Sequence, residues 1–209
     1  MGVLLVLLST SAVYSQQFEN IADSINLELN YTSSSLWGCG TSFYDFNNDG
    51  FDDVTFIKED DSLHFYENNN GTLVKTTSFV YGEGEVKSVL WVDYDNDGNL
   101  DLFVTANNGP YRLFKNDGDY NFTDVSAQVG LDFSNSRTQG AAFADINNNG
   151  YLDFYVCKYE FGHTEQDIDK LNQLYRNNGD GTFTNITLSA GVGDSIRASF
   201  QAVCAYRRQ

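Results

Sequence analysis

Residues 93–101 read DYDNDGNLD. Aspartates stand at the first, third, fifth and ninth positions, and glycine stands at the sixth. Side chains at alternate positions converge on one point only where the chain curls sharply, and glycine permits that curl. Three readings are open: an EF-hand, another scaffold that holds a hard cation, or an acidic turn that binds nothing.

The run recurs. DFNNDGFDD occupies residues 45–53 and DINNNGYLD residues 145–153, so the three starts lie 48 and 52 residues apart. Each copy follows a short apolar or small-residue run (GTSFY, SVLWV, GAAFA) and precedes another (VTFI, LFVT, FYVC). Strand, loop, strand is the simplest reading. Further on, LHFYENNNGTL, YRLFKNDGDYNF and NQLYRNNGDGTF read as hairpins, with Asn-Gly or Asp-Gly turns. About four short strands per repeat at this period is the signature of a β-propeller blade. The fold class is therefore all-β, a partial β-propeller of four-stranded antiparallel blades.

The expected blades lie at about 36–80, 86–125 and 137–187, with a truncated fourth at 197–209. The segment FTDVSAQVGL from Phe122 matches FTNITLSAGV from Phe183 at a constant offset of 61 residues. FENIADSINL, residues 18–27, repeats the pattern, and residues 18–21 are the candidate strand that closes the ring. Carrying the offset forward puts Tyr206 where the next loop aspartate belongs. Three blades do not close a ring, which takes four to eight. A truncated product, a fragment or a frameshift is expected ahead of a short chain that assembles in trans. Between its ninth-position aspartate and the next hairpin, blade three carries nine extra residues within KYEFGHTEQDIDKLN, a possible partner contact or simple drift.

An EF-hand needs a glutamate at position twelve and flanking helices. Here the twelfth residues are Phe56, Val104 and Val156, and the closing carboxylate comes early, as Asp53, Asp101 and Asp153. The EF-hand reading fails. Three copies in phase favour calcium (Ca2+), which takes six to eight oxygens, over magnesium, whose octahedral shell is stricter. The candidate ligands are Asp45, Asn47, Asp49, Phe51 and Asp53 in loop one, and Asp93, Asp95, Asp97, Asn99 and Asp101 in loop two. Loop three supplies Asp145, Asn147, Asn149, Tyr151 and Asp153. Phe51, Asn99 and Tyr151 would offer backbone carbonyls. Loop two has four carboxylates, loop one three and loop three two, which predicts affinities in the order two, one, three. The ions would be structural.

Composition agrees. A formal charge of −17 over 209 residues opposes nucleic-acid binding, and three divalent ions would bring it to −11. The aromatic fraction of 15% suits pleated, half-buried surfaces. Residues 1–15, MGVLLVLLSTSAVYS, read as a secretory signal without its basic start, or else as a buried strand, followed by a repeat region over 16–209. No later run is apolar enough to span a bilayer. Cys39, Cys157 and Cys204 read as buried free thiols.

The three loop segments, DFNNDGFDDVTFI, DYDNDGNLDLFVT and DINNNGYLDFYVC, resemble the FG-GAP/VCBS repeats of calcium-binding β-propellers. FTDVSAQVGL and FTNITLSAGV are similar to the ASPIC/UnbV, cartilage-acidic-protein-like branch. The resemblance implies roughly seven blades, secretion or surface display, and calcium between the first two strands of each blade. Loop three departs from the pattern, with amides at positions three and five. On this reading the chain is a secreted or surface-displayed, non-catalytic scaffold for a protein or glycan ligand. The alternatives are a fragment of a propeller hydrolase or lyase, or an inert truncated product. An enzyme would have little to draw on: His64 falls in a hairpin strand, and His163 with Glu160, Glu165 and Asp167 falls in the blade-three insertion. Sequons at Asn30, Asn70, Asn121 and Asn185 matter only in a eukaryotic secretory pathway.

Overall fold

The computed structural model describes residues 20, 40–58, 61–131, 137–160, 167, 170–194, 199 and 201–202. Signal residues 1–15, the closing strand, Cys39, Cys204, Tyr206 and His163 lie outside them, apart from Asn20 of that strand. Among the described residues, twelve strands form three antiparallel sheets of four. The first holds β1 (Thr41–Tyr44), β2 (Asp53–Ile57), β3 (Ser62–Asn69) and β4 (Thr72–Val80). The second holds β5 (Glu85–Val92), β6 (Asp101–Asn107), β7 (Arg112–Asn116) and β8 (Phe122–Asp124). The third holds β9 (Thr138–Ala144), β10 (Asp153–Lys158), β11 (Gln173–Asn177) and β12 (Phe183–Asn185), followed by the single turn α1 (Thr187–Ala190).

Each sheet is a blade, and in each the strand order follows the chain order. The first strands of the three blades, β1, β5 and β9, face one another across a cleft of about 710 Å³, lined by residues 40–44, 87–91 and 139–143 together with Gln201 and Ala202. These are the inner strands of a propeller. All three acidic runs fall between first and second strands, where hairpins turn β1 into β2, β5 into β6 and β9 into β10.

Burial follows position in the stack. Blade two lies between the others, so β6 is buried on both faces, with Leu102, Phe103 and Val104 wholly inaccessible. Its run LFVTA accordingly lacks apolar–polar alternation. The outermost strand β4 has no buried position: Leu73, Thr77 and Phe79 are half-buried and the rest are exposed, as suits an edge strand. One core joins blades one and two through Phe46, Leu63, Phe65, Trp91 and Phe114. A second joins blades two and three through Tyr94, Phe103, Tyr111, Phe154 and Phe183. Burying each of these large side chains contributes about 1.5–3 kcal/mol, so the blades are held face to face by aromatic packing. Phe154 and Tyr175 stack at 4.8 Å between ring centroids, and Phe46 stacks on Trp91 at 4.7 Å.

Polar bonds fix the stacking angle. The Trp91 indole Nε1–H donates to Thr55 Oγ1 at 2.9 Å across the first interface. Across the second, the Tyr111 hydroxyl donates to Gln173 Oε1 at 2.6 Å. The repeated FTDVSAQVGL and FTNITLSAGV segments do the same work in two blades. Ser126 Oγ accepts the backbone N–H of Leu113 at 2.9 Å, and Thr187 Oγ1 accepts that of Leu174 at 2.9 Å. Asp124 and Asn185 each accept from the backbone two residues on, at 2.9 and 3.0 Å, and so turn the chain out of the blade. The backbone N–H of Phe183 then donates to the carbonyl of Val129, tying the end of that turn in blade two to the outer strand of blade three.

Candidate metal centres

The three loops share one backbone path. The first-position aspartate accepts two backbone N–H groups, those of positions five and six. In loop one Asp45 takes them from Asp49 and Gly50 at 3.0 and 2.9 Å. Asp93 takes them from Asp97 and Gly98 at 3.1 Å each, and Asp145 from Asn149 and Gly150 at 3.1 and 2.9 Å. Position five repeats the move on position seven: Asp49, Asp97 and Asn149 accept from Phe51, Asn99 and Tyr151 at 2.9, 2.8 and 3.0 Å.

Two residues per loop sit at positive φ. Glycine at six is one, with φ of 95°, 89° and 86° at Gly50, Gly98 and Gly150. The other is position four, where Asn48, Asn96 and Asn148 take φ of 60°, 59° and 58°. Asparagine tolerates the left-handed region better than other side chains. Asparagine at position four in all three copies was a readable signal for this second bend.

The ninth-position aspartates Asp53, Asp101 and Asp153 are fully buried. Each accepts one backbone N–H from position two and one from the third strand of its blade. Asp53 takes Phe46 at 3.0 Å and Asn68 at 2.8 Å; Asp101 takes Tyr94 at 3.3 Å and Asn116 at 2.9 Å; Asp153 takes Ile146 at 3.0 Å and Asn177 at 2.7 Å. The carboxylate is thus a pin between loop and hairpin as well as a possible ligand. Burial pushes the Asp101 carboxyl up to about 7 against those two bonds, with Asp95 and Asp97 adding to the rise. Burial also raises Asp53. Asp145 is held low by the N–H groups it accepts, that of Gly150 foremost.

Sequence reasoning overlooked the partner of this pin. Asn116 and Asn177 end their third strands and Asn68 is the last but one of β3, and their side-chain amides donate to the carbonyls of position eight: Asp52 at 3.0 Å, Leu100 at 3.0 Å and Leu152 at 3.3 Å. Their Oδ1 atoms accept from Gly71, Gly118 and Gly179 in the hairpin turns. An asparagine shortly before each hairpin glycine was the visible trace. Position two was also overlooked: Phe46 and Tyr94 are buried between blades, whereas Ile146 is 52% exposed.

The loops differ at position three. Asn47 and Asn147 spend Oδ1 on the backbone N–H of position five, at 3.0 Å each. Asp95 Oδ1 is buried with no hydrogen-bond partner. Carboxylate oxygens of Asp93, Asp95 and Asp101 lie within 4.8 Å of one another, the one such acidic cluster among the described residues. An orphaned buried carboxylate oxygen beside two others is a donor set that fits a hard divalent cation. The Lys115 ammonium donates to Asp95 Oδ2 and to Asp97 Oδ2, the latter at 2.8 Å. Those bonds hold the Asp97 carboxyl below the usual range and raise the lysine.

Of the residues weighed for catalysis, Glu160, Asp167 and His64 are among the described residues. Glu160 Oε1 accepts the backbone N–H of Arg137 at 3.1 Å, and Asp167 faces Lys170 at 4.0 Å. His163 and Glu165 fall outside the described residues, and His64 lies within β3. No described helix is long and apolar enough to cross a membrane.

A family model described as FG-GAP-like repeat matches residues 45–104 and 93–156, together more than half of the chain. Cartilage acidic protein 1 of Homo sapiens is 42% identical over 63 residues, which is 30% of this chain and 10% of that protein. The Xenopus tropicalis protein of the same name is 38% identical over 68 residues, 32% of this chain and 10% of its own length. The match therefore spans about a tenth of these relatives. With three loops of one geometry in three four-stranded blades, the chain belongs to the family of FG-GAP-like repeat proteins.

Proposed function

We propose that the chain is a calcium-clipped propeller scaffold of the secreted or surface-displayed kind, which presents its faces to a protein or glycan ligand and carries no catalysis. The observation that supports this best is the Asp93, Asp95 and Asp101 cluster with its buried, unpartnered Asp95 Oδ1. Asp101 is buried against two neighbouring carboxylates, an arrangement that a divalent ion would stabilise. Loops one and three follow the same backbone path, so calcium at all three is the simplest extension. Asp45, Asn47, Asp49 and Asp53 would act in the first and Asp145, Asn147, Asn149 and Asp153 in the third, with the carbonyls of Phe51, Asn99 and Tyr151 completing the shells. The signal at 1–15 and the family likeness support export. The ions brace the rim and leave the blades to do the binding.

An ion that binds only the folded chain stabilises it by linkage. Saturating calcium should raise the melting temperature of EDTA-treated protein by about 2–4 °C for each kcal/mol of stabilisation. Calorimetric titration should show uptake in the same range of calcium concentration. A melt that is identical in EDTA and in calcium would remove the structural role.

A further inference from the structure

The three blades carry different residues at one equivalent position, immediately before the asparagine that pins the third strand to the loop: Glu67, Lys115 and Arg176. Glu67 Oε1 accepts the Tyr120 hydroxyl at 2.8 Å. Arg176 is exposed, and among the described residues it makes no ion pair with loop three. Lys115 alone turns onto its own loop. Its ammonium binds Asp95 and Asp97 and lies 5.8 Å from the centre of the Tyr94 ring, with the side chain 28% exposed. The strand that carries it cannot shift freely, because the next residue, Asn116, is tied to Asp101 and Leu100.

We propose that Lys115 is a resident counter-cation of loop two, which competes with the divalent ion for the same carboxylates and so sets that loop's affinity. This rests on the calcium reading above. Lys115 cancels one of the four ligand carboxylate charges, leaving the ligand set of loop two with the net charge of that of loop one. Carboxylate oxygens of Asp93, Asp95 and Asp101 still lie within 4.8 Å of one another, and Asp95 Oδ1 stays unpartnered, so the cage persists. An ion held there would lie close to a fixed ammonium charge and be repelled by it at partly buried range. Without metal, the lysine relieves the repulsion among the aspartates and keeps the loop folded. Loop two therefore exchanges between lysine-held and metal-held forms, and it binds no more tightly than loop one despite its extra ligand carboxylate.

The test uses the full chain in a D45N/D145N background, so that loop two reports alone in calorimetric titration with calcium chloride. K115Q should tighten binding about tenfold or more, and K115R should stay near the parent. Melting supplies the second readout. K115Q should melt below the parent in EDTA but not in saturating calcium, whereas a merely structural lysine would lower both. Parent binding with K115Q within twofold of it overturns the inference alone. No uptake by the unmodified chain or by K115Q overturns the calcium reading, and the inference falls with it.

Discussion

Asn177 Nδ2 donates to the backbone carbonyl of Tyr94 at 2.8 Å, in the buried space between blades two and three. Tyr94 is the second residue of loop two, and Asn177 ends the third strand of the next blade. The same amide reaches the Leu152 carbonyl at 3.3 Å in its own blade. A single side chain therefore couples two loops, and Asn96 Nδ2 adds a second link by donating to the Gly150 carbonyl at 2.9 Å.

Removing the Asn177 amide should cost more than removing its counterpart in blade two. Asn177→Ala leaves the buried Tyr94 carbonyl unpaired and should cost about 2–3 kcal/mol. Asn116→Ala, whose described amide bonds stay within its own blade and hairpin, should cost about 1 kcal/mol less. Urea unfolding midpoints of the two variants measure the difference. Equal losses would mean that the inter-blade bond contributes nothing.

Asp101 and Asp93 should separate folding from metal binding. Asp101→Ala orphans the N–H groups of Tyr94 and Asn116 at a buried site, at a cost of about 2–4 kcal/mol even in EDTA. The N–H groups that Asp93 accepts belong to the exposed Asp97 and Gly98, where water can replace it. Asp93→Ala should therefore melt near the parent in EDTA and, in calcium, lose only the share of the gain that loop two supplies. Thermal melts of both variants with and without calcium distinguish the two roles.

Gly109 is required for space and not for its backbone angle. A Cβ there would overlap the carbonyl oxygen of Glu83, and the Gly84 Cα lies 3.2 Å from the same point. The φ of Gly109 is not in the left-handed region. Gly109→Ala should force the start of β5 away from the end of β6, at a cost of about 2–3 kcal/mol. A small loss in the unfolding midpoint would show that this junction yields easily.

Cys157 should resist alkylation in the folded chain. It is a free thiol in β10, 2% exposed, and burial pushes it up from 9.0 to about 11. Because the folded value is the higher, the neutral thiol's contribution is complete below the unfolded value and is lost as pH rises towards about 11. Iodoacetamide at pH 8, followed by peptide mass mapping, should label Cys157 far more slowly in buffer than in urea.

The architecture was legible because it is local and repeated. An Asp-x-Asn/Asp-x-Asp/Asn-Gly run dictates its own path through bonds between residues two to five apart, so three copies announced three loops and the flanking apolar runs announced the strands. Tyr94 and Phe46 look like ordinary loop aromatics in the sequence, and only the stacking of blades shows that they are core. The Asp101 pin was visible as a carboxylate at the ninth position, but its second duty, holding the Asn116 N–H, depends on where β7 lies.

What the amino-acid order determined by itself was the blade, the bend of each loop and the donor types at each position, all set by hydrogen bonds within one hairpin. The charge each loop presents was decided only by tertiary structure. Lys115 stands 14 residues beyond the last aspartate of its loop, and nothing in the sequence separates it from Arg176 as a counter-cation for the loop of its own blade. Its ammonium meets Asp95 and Asp97 because the third strand folds back beside the loop. Coulomb interactions depend on distance in space, so counting acids along the chain ranked the loops without their nearest cation.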